Sequence, residues 1–538
     1  MATDTDIIII GGGMSGIGLA VQLRRYYKTT TFEIYEKTND LGGTWAINTY
    51  PGCGVDVASH FYSYSFALNP DWSRKFPMQQ EILAYFNDVA RKYGLDDRTK
   101  LECTVQTAVW DEASSVWNVT IFDQASKTSF QRSCRALVSA VGALSIPKKC
   151  DIPGSEAFEG KIFHSARWDH SFDHTGKKIL VLGNGCSATQ FVPVVAETAK
   201  SVIQVVRQPH WLLERPNPTY SRLFKLFMRI PGVMQLLRVM IYTELEAEWT
   251  MFETATGGSA RQKLGEASKA YIRKNAPPKY IDALVPKFEV GCKRRVFDTG
   301  YLECLHRENV ELEWKDPVVK ITNSGAVFES GKEVQVDAII LATGFETTTL
   351  LTPLEIIGRN GVSMNEHWDR YNEGLPQAYY GTCVAGFPNF FVMMGPNTVN
   401  GHLSVTYSSE CQINFTLRML DPILRSVRPS GRHIASVEVK QKAEDEENDW
   451  IQNRAKELVW SSGCTNWYVE PKTGKNVMVY PHWQWHYWLR SIFIKREDII
   501  YTSDNGQEIP GNVSWRWLVV SAASTFVKPL LAFPIGKP

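Results

Sequence analysis

The sequence lacks the cysteine patterns that would mark a redox or metal centre. None of its ten cysteines forms a CxxC pair, and no Cys/His group has zinc-ligand spacing. A dithiol–disulfide flavoenzyme and a zinc site are both excluded on that ground, and no metal is expected. A chain of 538 residues can bury a core without covalent staples. Reduced thiols and a cytoplasmic location are therefore expected. Neither sign of charge is in excess: 58 Lys and Arg stand against 57 Asp and Glu. That balance excludes the clustered basic surface a nucleic-acid partner needs. Long apolar runs are missing too. Ile7–Ile10 is too short for a signal-peptide core and no basic stretch precedes it. Trp517–Val527 is interrupted by small polar residues and followed by Lys528 and Pro529, too short to cross a bilayer. It reads as a packed tail, and membrane contact is not expected. Aromatics are not scarce, with 17 Trp and 21 Tyr; they suit a core built around flat ligands, although packing accounts for most of them.

The length predicts two or three domains. The first is announced at once. Asp6–Ile10 reads as a buried parallel strand, Ser15–Tyr27 has helical spacing, and Thr31–Glu36 is rich in β-branched and aromatic residues. The turn between the first strand and the helix carries GxGxxG at Gly11, Gly13 and Gly16. Such glycines allow a tight turn, approach of the backbone to a pyrophosphate, and close packing of helix on strand. Glu36, at the end of the second strand, is placed to accept from a ribose 2′-hydroxyl. A nucleotide with an unphosphorylated ribose, FAD or NAD, is expected here.

A second unit starts at Lys177. The strand Lys177–Leu182 ends in Gly183-Asn184-Gly185-Cys186-Ser187-Ala188, a helix continues through Thr189–Val195, and Ser201–Val206 is the next strand. Arg207 stands where Glu36 stood in the first unit, and a cation there suits a 2′-phosphate, so NADP is expected in preference to NAD.

Between the two units lies Phe158–Asp169, read as a linker, with Phe158, Gly160, His164, Trp168 and Asp169 crowded into it. Residues 79–93 read as a helix, Leu101–Val109 and Val116–Phe122 as a hairpin, and Arg135–Val141 as a short strand. From His210 to Pro286 apolar residues recur at helical spacing with Arg222, Lys225, Arg229 and Arg238 between them. A basic amphipathic membrane helix would look similar. Pro231-Gly232 breaks the pattern and Glu244, Glu246 and Glu248 follow, so a helical insertion packed on the nucleotide units is expected instead. Strands resume at Val310–Trp314, Val318–Thr322 and Val334–Ala342, and the apolar run within Phe387–Asn397 is expected to return the chain to the first unit. Tyr407–Leu420 and Ala443–Leu458 read as helices. The fold class is α/β, with two Rossmann-like domains and a helical insertion. The expected boundaries are 1–147 with 386–538 for the first nucleotide domain, 148–209 with 287–385 for the second, and 210–286 for the insertion. On composition alone Asp56 is a turn or cap residue, His60 belongs to packing, and Tyr62 is open to either reading.

Two motifs give a resemblance. Phe158, Gly160, His164, Trp168 and Asp169 fit FxGxxxHxxxW followed by D, and Gly42, Gly43, Trp45, Tyr50, Pro51, Gly52 and Asp56 fit GGxW…YPG…D. Flanked by two nucleotide fingerprints, they resemble the type I Baeyer–Villiger monooxygenases, which are class B flavoenzymes. The resemblance implies FAD in the first unit and NADPH in the second. It implies that NADPH reduces FAD, that O2 then gives a C4a-peroxyflavin, and that one oxygen is inserted into a ketone to give an ester or lactone. It also implies a catalytic arginine in a Lys-Arg pair, here Lys293-Arg294, with Asp56 as its carboxylate partner. Arg295 next to the pair leaves a one-residue shift open. Carried over residue by residue, the FAD contacts are Gly11, Gly13, Met14, Gly16, Glu36, Gly43, Thr44, Trp45, Asp56, Val57, Tyr62, Val105 and Val405. The NADP contacts are Gly183, Asn184, Gly185, Cys186, Ser187, Ala188, Gln190, Arg207, Gln208, Lys293 and Arg294. His164 and Trp168 are expected to hold the linker and not to do chemistry. The alternatives are an N- or S-oxidising class B monooxygenase, against which the Trp168-Asp169 ending and the Lys293-Arg294 pair speak, and a non-oxygenating NADPH oxidase.

Overall fold

The computed structural model describes residues 3–425 and 434–509; the expected C-terminal segment Trp517–Val527 lies outside them. Thr5–Ile10 is the centre of an eight-stranded sheet. Ile7, Ile8 and Ile9 are fully buried, as a strand covered on both faces requires. It pairs in parallel with Phe32–Tyr35 on one side and Thr128–Ser139 on the other. The expected hairpin forms, with Cys103–Asp111 antiparallel to Val116–Asp123. The strand read as Arg135–Val141 starts earlier and ends sooner, at Thr128–Ser139, because its exposed polar first half pairs antiparallel with the second half of Val116–Asp123. Phe390–Val392 returns to this sheet beside Thr128–Ser139. The crossing comes earlier than the expected boundary at 386, however: Glu355–Ile357 already adds to the sheet edge, parallel to Cys103–Asp111.

The second sheet is wholly parallel, in the order Val310–Trp314, Ser201–Val206, Lys178–Leu182, Ala338–Leu341, Lys161–His164. Two expectations are corrected here. The stretch 158–169 is no free linker, because its Lys161–His164 is the edge strand of this sheet. A four-residue strand is too short to show a period. The run 334–342 is not one strand. Glu333–Gln335 belongs to a small antiparallel sheet and Ala338–Leu341 to the parallel one. Asp337 makes the switch: its carboxylate accepts from the Lys178 backbone N–H at 2.7 Å, and its own N–H donates to the Lys178 carbonyl at 2.8 Å.

The helix Val405–Leu424 runs through the core with most of its side chains buried. Its Gln412 satisfies four partners around the 381–394 turn, which is how a buried amide avoids a desolvation cost. The insertion forms helices at Arg222–Met228, Val233–Ala247 and Gly258–Asn275, with Pro231-Gly232 at the first joint. It packs on the first unit by one side only. Tyr220 and Phe224 meet the His60 ring, Tyr242 meets Phe61, and Arg238 donates to the carbonyls of His60 and Ser63. The outer side of its first two helices is left exposed.

The expectation of reduced thiols fails at one pair. Cys292 and Cys464, 172 positions apart, form a disulfide with Cα atoms 6.2 Å apart; the other eight cysteines are free. No local spacing could reveal it, since two distant loops meet only in the folded chain. The inference of a cytoplasmic location loses part of its support accordingly.

Candidate functional site

The first glycine turn is built for a ligand that approaches backbone. Gly11 has φ +105°, and a Cβ on it would lie 2.6 Å from the Ala140 carbonyl oxygen. A Cβ on Gly43, at φ +55°, would lie 2.8 Å from the Gly13 Cα, so the GGxW segment must lack a side chain where it crosses the turn. Helix Met14–Tyr26 has no side-chain cap and no acidic residue in its first turn. Its first N–H groups and the positive end of its dipole are thus available to a pyrophosphate. The Glu36 carboxylate accepts from the N–H of Gly12 at 2.7 Å and of Thr38 at 2.9 Å, which fixes it at the strand end with lone pairs remaining for a ribose hydroxyl. Trp45 donates from its indole to the Tyr62 hydroxyl at 3.1 Å. Val57 and Tyr62 are buried beside this turn segment, and Thr44 opens its short helix. The Met14 carbonyl accepts from the Tyr64 hydroxyl. Val405 is the first residue of its helix. Val105 instead lies in the apolar cluster beneath the sheet with Ile8 and Tyr35, and its side chain is accounted for by packing.

The second turn repeats the design with a different charge. Helix Cys186–Val195 is capped by Gly185 with no side-chain bond and no acid in its first turn, and a Cβ on Gly185 would meet nothing within 4 Å. Gly183 has φ +113° and approaches Ala342 as Gly11 approaches Ala140. Ser187 and Ala188 follow in the first turn of the helix. Asn184 is committed to the loop, donating to the Gln208 carbonyl at 2.9 Å. Arg207 is exposed at the strand end. Lys293 arrives from a distant loop, its ammonium 3.4 Å from the Gln208 side-chain oxygen and over the Phe288 ring at 4.6 Å. Burial, then repulsion from Arg207, pulls the Lys293 ammonium down to about 8. Among the described residues neither cation has a carboxylate partner. Two like charges held together without a counter-ion, beside an uncapped helix start, suit a phosphate dianion.

Gln190 joins the two turns. Its amide donates to the Gly54 carbonyl at 3.0 Å and accepts from the Tyr50 hydroxyl at 3.0 Å. A Cβ on Gly52 would lie 2.4 Å from the Gln190 carbonyl. The side chain expected to touch a nucleotide is therefore spent on holding the YPGCG segment. Two residues later that segment delivers Asp56. Arg294 donates to one Asp56 oxygen from Nε at 2.9 Å and from a terminal nitrogen at 2.6 Å. Asp56 beside it holds the guanidinium well above the usual arginine range, against the opposing effect of burial. Each side chain is rather over a quarter exposed, so the pair faces a space and is not sealed in the core. Arg295 does not compete for this place, since it pairs with Glu248. Of the two adjacent arginines, it is Arg294 that faces Asp56.

Sequence reasoning missed several neighbours of this pair. Tyr468 lies beside Arg294, and burial pushes its phenol up to about 12 despite that cation, so it stays neutral. Arg215 donates to the Val55 carbonyl and lies over the Phe76 ring at 4.8 Å. The Cys292–Cys464 disulfide fastens the loop of Lys293 and Arg294 to the loop of Tyr468. No nearby motif signals any of them. His60 fits its packing role: burial, helped by Arg238, brings its imidazole down to about 4, so it is neutral at ordinary pH. His164 accepts from the Ala166 N–H at 3.0 Å and packs on Phe345. Trp168 packs between Phe163 and Phe191, and Asp169 pairs with Lys161 at 3.1 Å. These contacts pin the edge strand to its surroundings.

Residues 4–246 match the family described as flavin-binding monooxygenase-like. A Baeyer–Villiger monooxygenase of Pseudomonas aeruginosa is 36% identical over 89% of this chain and 88% of its own length. A Baeyer–Villiger monooxygenase of Streptomyces coelicolor is 34% identical over 88% of each. Among solved structures, OTEMO in complex with FAD and NADP superposes with a TM-score of 0.81 at 26% identity, covering 93% of this chain and all of that one. Oxidized steroid monooxygenase bound to NADP gives 0.77 at 27%, covering 94% of this chain and all of that one.

Proposed function

This chain belongs to the flavin-binding monooxygenases and, within them, to the Baeyer–Villiger monooxygenases, and on that premise we propose that Arg294 and Asp56 form its catalytic pair. The enzyme uses FAD and NADPH to insert one oxygen of O2 into a ketone, giving an ester or lactone and water. FAD, once reduced by NADPH, supplies the activated oxygen; the chain's residues must hold, orient and neutralise.

The observation that carries this reading is the doubly bonded Asp56–Arg294 contact. It ties the segment after the first glycine turn to the loop that reaches the second. Arg294 stays charged at any working pH and presents a fork of donors, which suits negative charge gathering on the substrate carbonyl oxygen. Asp56 fixes the plane of that fork. Gly11, Gly13, Gly16 and Glu36 hold the FAD pyrophosphate and ribose. The start of helix 186–195 takes the NADP pyrophosphate, and Arg207 with Lys293 takes the 2′-phosphate. In this reading the FAD unit is 3–147 with the chain from Glu355 onward, the NADP unit is 148–209 with 287–345, and 210–286 is the insertion.

A panel of cyclic, linear and aryl ketones with NADPH under air, scored by mass spectrometry, tests the reading. Gain of one oxygen as ester, at one NADPH per product, supports it. An N-oxide from an added amine without any ester would replace it with nitrogen oxidation, and hydrogen peroxide as sole product would replace it with an oxidase.

A further inference from the structure

We propose that Gln190, on the helix whose start takes the NADP pyrophosphate, is the positioning residue of the Asp56–Arg294 pair. The proposal rests on the reading of that pair as catalytic. Asp56 ends the stretch 50–56, which belongs to no helix or strand, so its place must be set by single contacts. One edge of the stretch is held by the FAD unit. The Val55 N–H donates to the Pro77 carbonyl at 3.3 Å, and the Cys53 carbonyl accepts from the Gln79 N–H at 2.9 Å. Between these two bonds Gly54, which faces Met78 across the bridge, turns its own N–H and carbonyl the other way.

Both groups meet one side chain. Gln190 Nε2 donates to the Gly54 carbonyl at 3.0 Å, while Oε1 accepts from the Gly54 N–H at 3.4 Å and from the Tyr50 hydroxyl at 3.0 Å. The carboxamide stands in for a neighbouring strand, and only an amide offers the donor and acceptor side by side. Gln190 is 9% exposed, so an apolar side chain there leaves the Gly54 groups without a partner. Burial pushes the Tyr50 phenol well above its usual range, which keeps it a donor. The same helical turn holds the other half of the pair. The Thr189 carbonyl accepts from the Thr299 hydroxyl at 3.0 Å, and Thr299 follows Arg294 just beyond the short strand Val296–Phe297. Carboxylate and guanidinium are thus both referred to Thr189-Gln190, just past the first turn of helix Cys186–Val195. The amide meets the Asp56 segment and not the helix start. Its loss is therefore expected in oxygen transfer and not in NADPH affinity, because a misplaced fork meets developing charge badly.

The test is a mutant cycle on the holoenzyme, reading ester and hydrogen peroxide formed per NADPH oxidised, together with KM for NADPH. Gln190→Met, similar in length and unable to make these bonds, is expected to cut ester per NADPH by about tenfold, with hydrogen peroxide making up the difference, and to leave KM for NADPH within about twofold. Gln190→Glu keeps the acceptor but sets an oxygen against the Gly54 carbonyl, and the same result is expected; it carries the test should the Met variant lose FAD. In an Asp56→Ala background either change is expected to add nothing, because the carboxylate it positions is gone. A wild-type product ratio in the Gln190 variants overturns the proposal, whether or not KM for NADPH rises. So does a full further loss in the Asp56→Ala background, or loss of FAD by both Gln190 variants, which assigns the residue to the fold alone. Asp56→Ala enzyme with the wild-type ratio overturns the reading of the pair and this proposal with it. Defective Asp56→Ala enzyme beside unaffected Gln190 variants overturns the proposal alone.

Discussion

Arg294 places two donors on a single oxygen of Asp56, at 2.9 and 2.6 Å, and its other terminal nitrogen has no hydrogen-bond partner among the described residues. The carboxylate therefore orients the guanidinium without consuming it. A fork held along one side and open along the other is suited to meet a charge that appears only during reaction.

Arg294→Ala is expected to keep flavin reduction by NADPH and to lose ester formation by about 10²-fold or more, the usual scale for removing a donor aimed at developing charge. Stopped-flow reduction alongside product analysis separates the two steps. Ester formation at the wild-type rate would refute the assignment.

Arg207→Ala is expected to weaken NADPH about tenfold or more and to leave NADH nearly unchanged, because only one of the two carries the 2′-phosphate that a charge-assisted bond would reward. Comparison of KM for the two nucleotides checks this. Equal losses would remove Arg207 from that phosphate.

Lys293 gives a pH dependence with a definite sign. Its ammonium is held at about 8 before the nucleotide binds, by burial first and Arg207 second, and a bound dianion must raise it. Above pH 8 binding therefore takes up a proton. Affinity for NADPH is expected to fall by up to about tenfold per pH unit, until the raised value is reached. NADH affinity should stay flat over that window, and Lys293→Met should abolish the slope for NADPH. Calorimetry across that range measures both.

Gly43→Ala is expected to destabilise the protein by about 1–3 kcal/mol and to lower FAD content. The new Cβ sits at positive φ and 2.8 Å from the Gly13 Cα, so the two backbone segments must part. Thermal unfolding with and without added FAD reads both effects.

The sequence made the nucleotide units legible because their signals are local: glycines at fixed spacing, a strand before them and a charge after the next strand. The Glu36 and Arg207 contrast needs nothing beyond that. What it hid depends on segments far apart meeting. Tyr468 reaches Arg294, and Gln190 reaches Gly54, across most of the fold. Helical periodicity in the insertion showed that an apolar face exists, but a period does not say what covers it. The switch at Asp337 between two sheets was hidden because the alternating Val334-Gln335-Val336-Asp337 runs into the buried Ala338–Leu341 without a glycine or proline to mark a break. Lys161–His164 became an edge strand only because Ala338–Leu341 lay open beside it.

The Cys292–Cys464 bond has a topological effect as well as a local one. The chain between those residues becomes a closed ring. It passes through the second sheet at Val310–Trp314 and Ala338–Leu341, and through the first at Glu355–Ile357 and Phe390–Val392. While the ring is closed, neither sheet can unravel and drift from the other without dragging strands of both. Closing that ring removes conformational freedom from an unfolded chain that carries strands of both sheets, so in the oxidised protein the one bond stabilises both nucleotide units, and reduction withdraws that contribution from both.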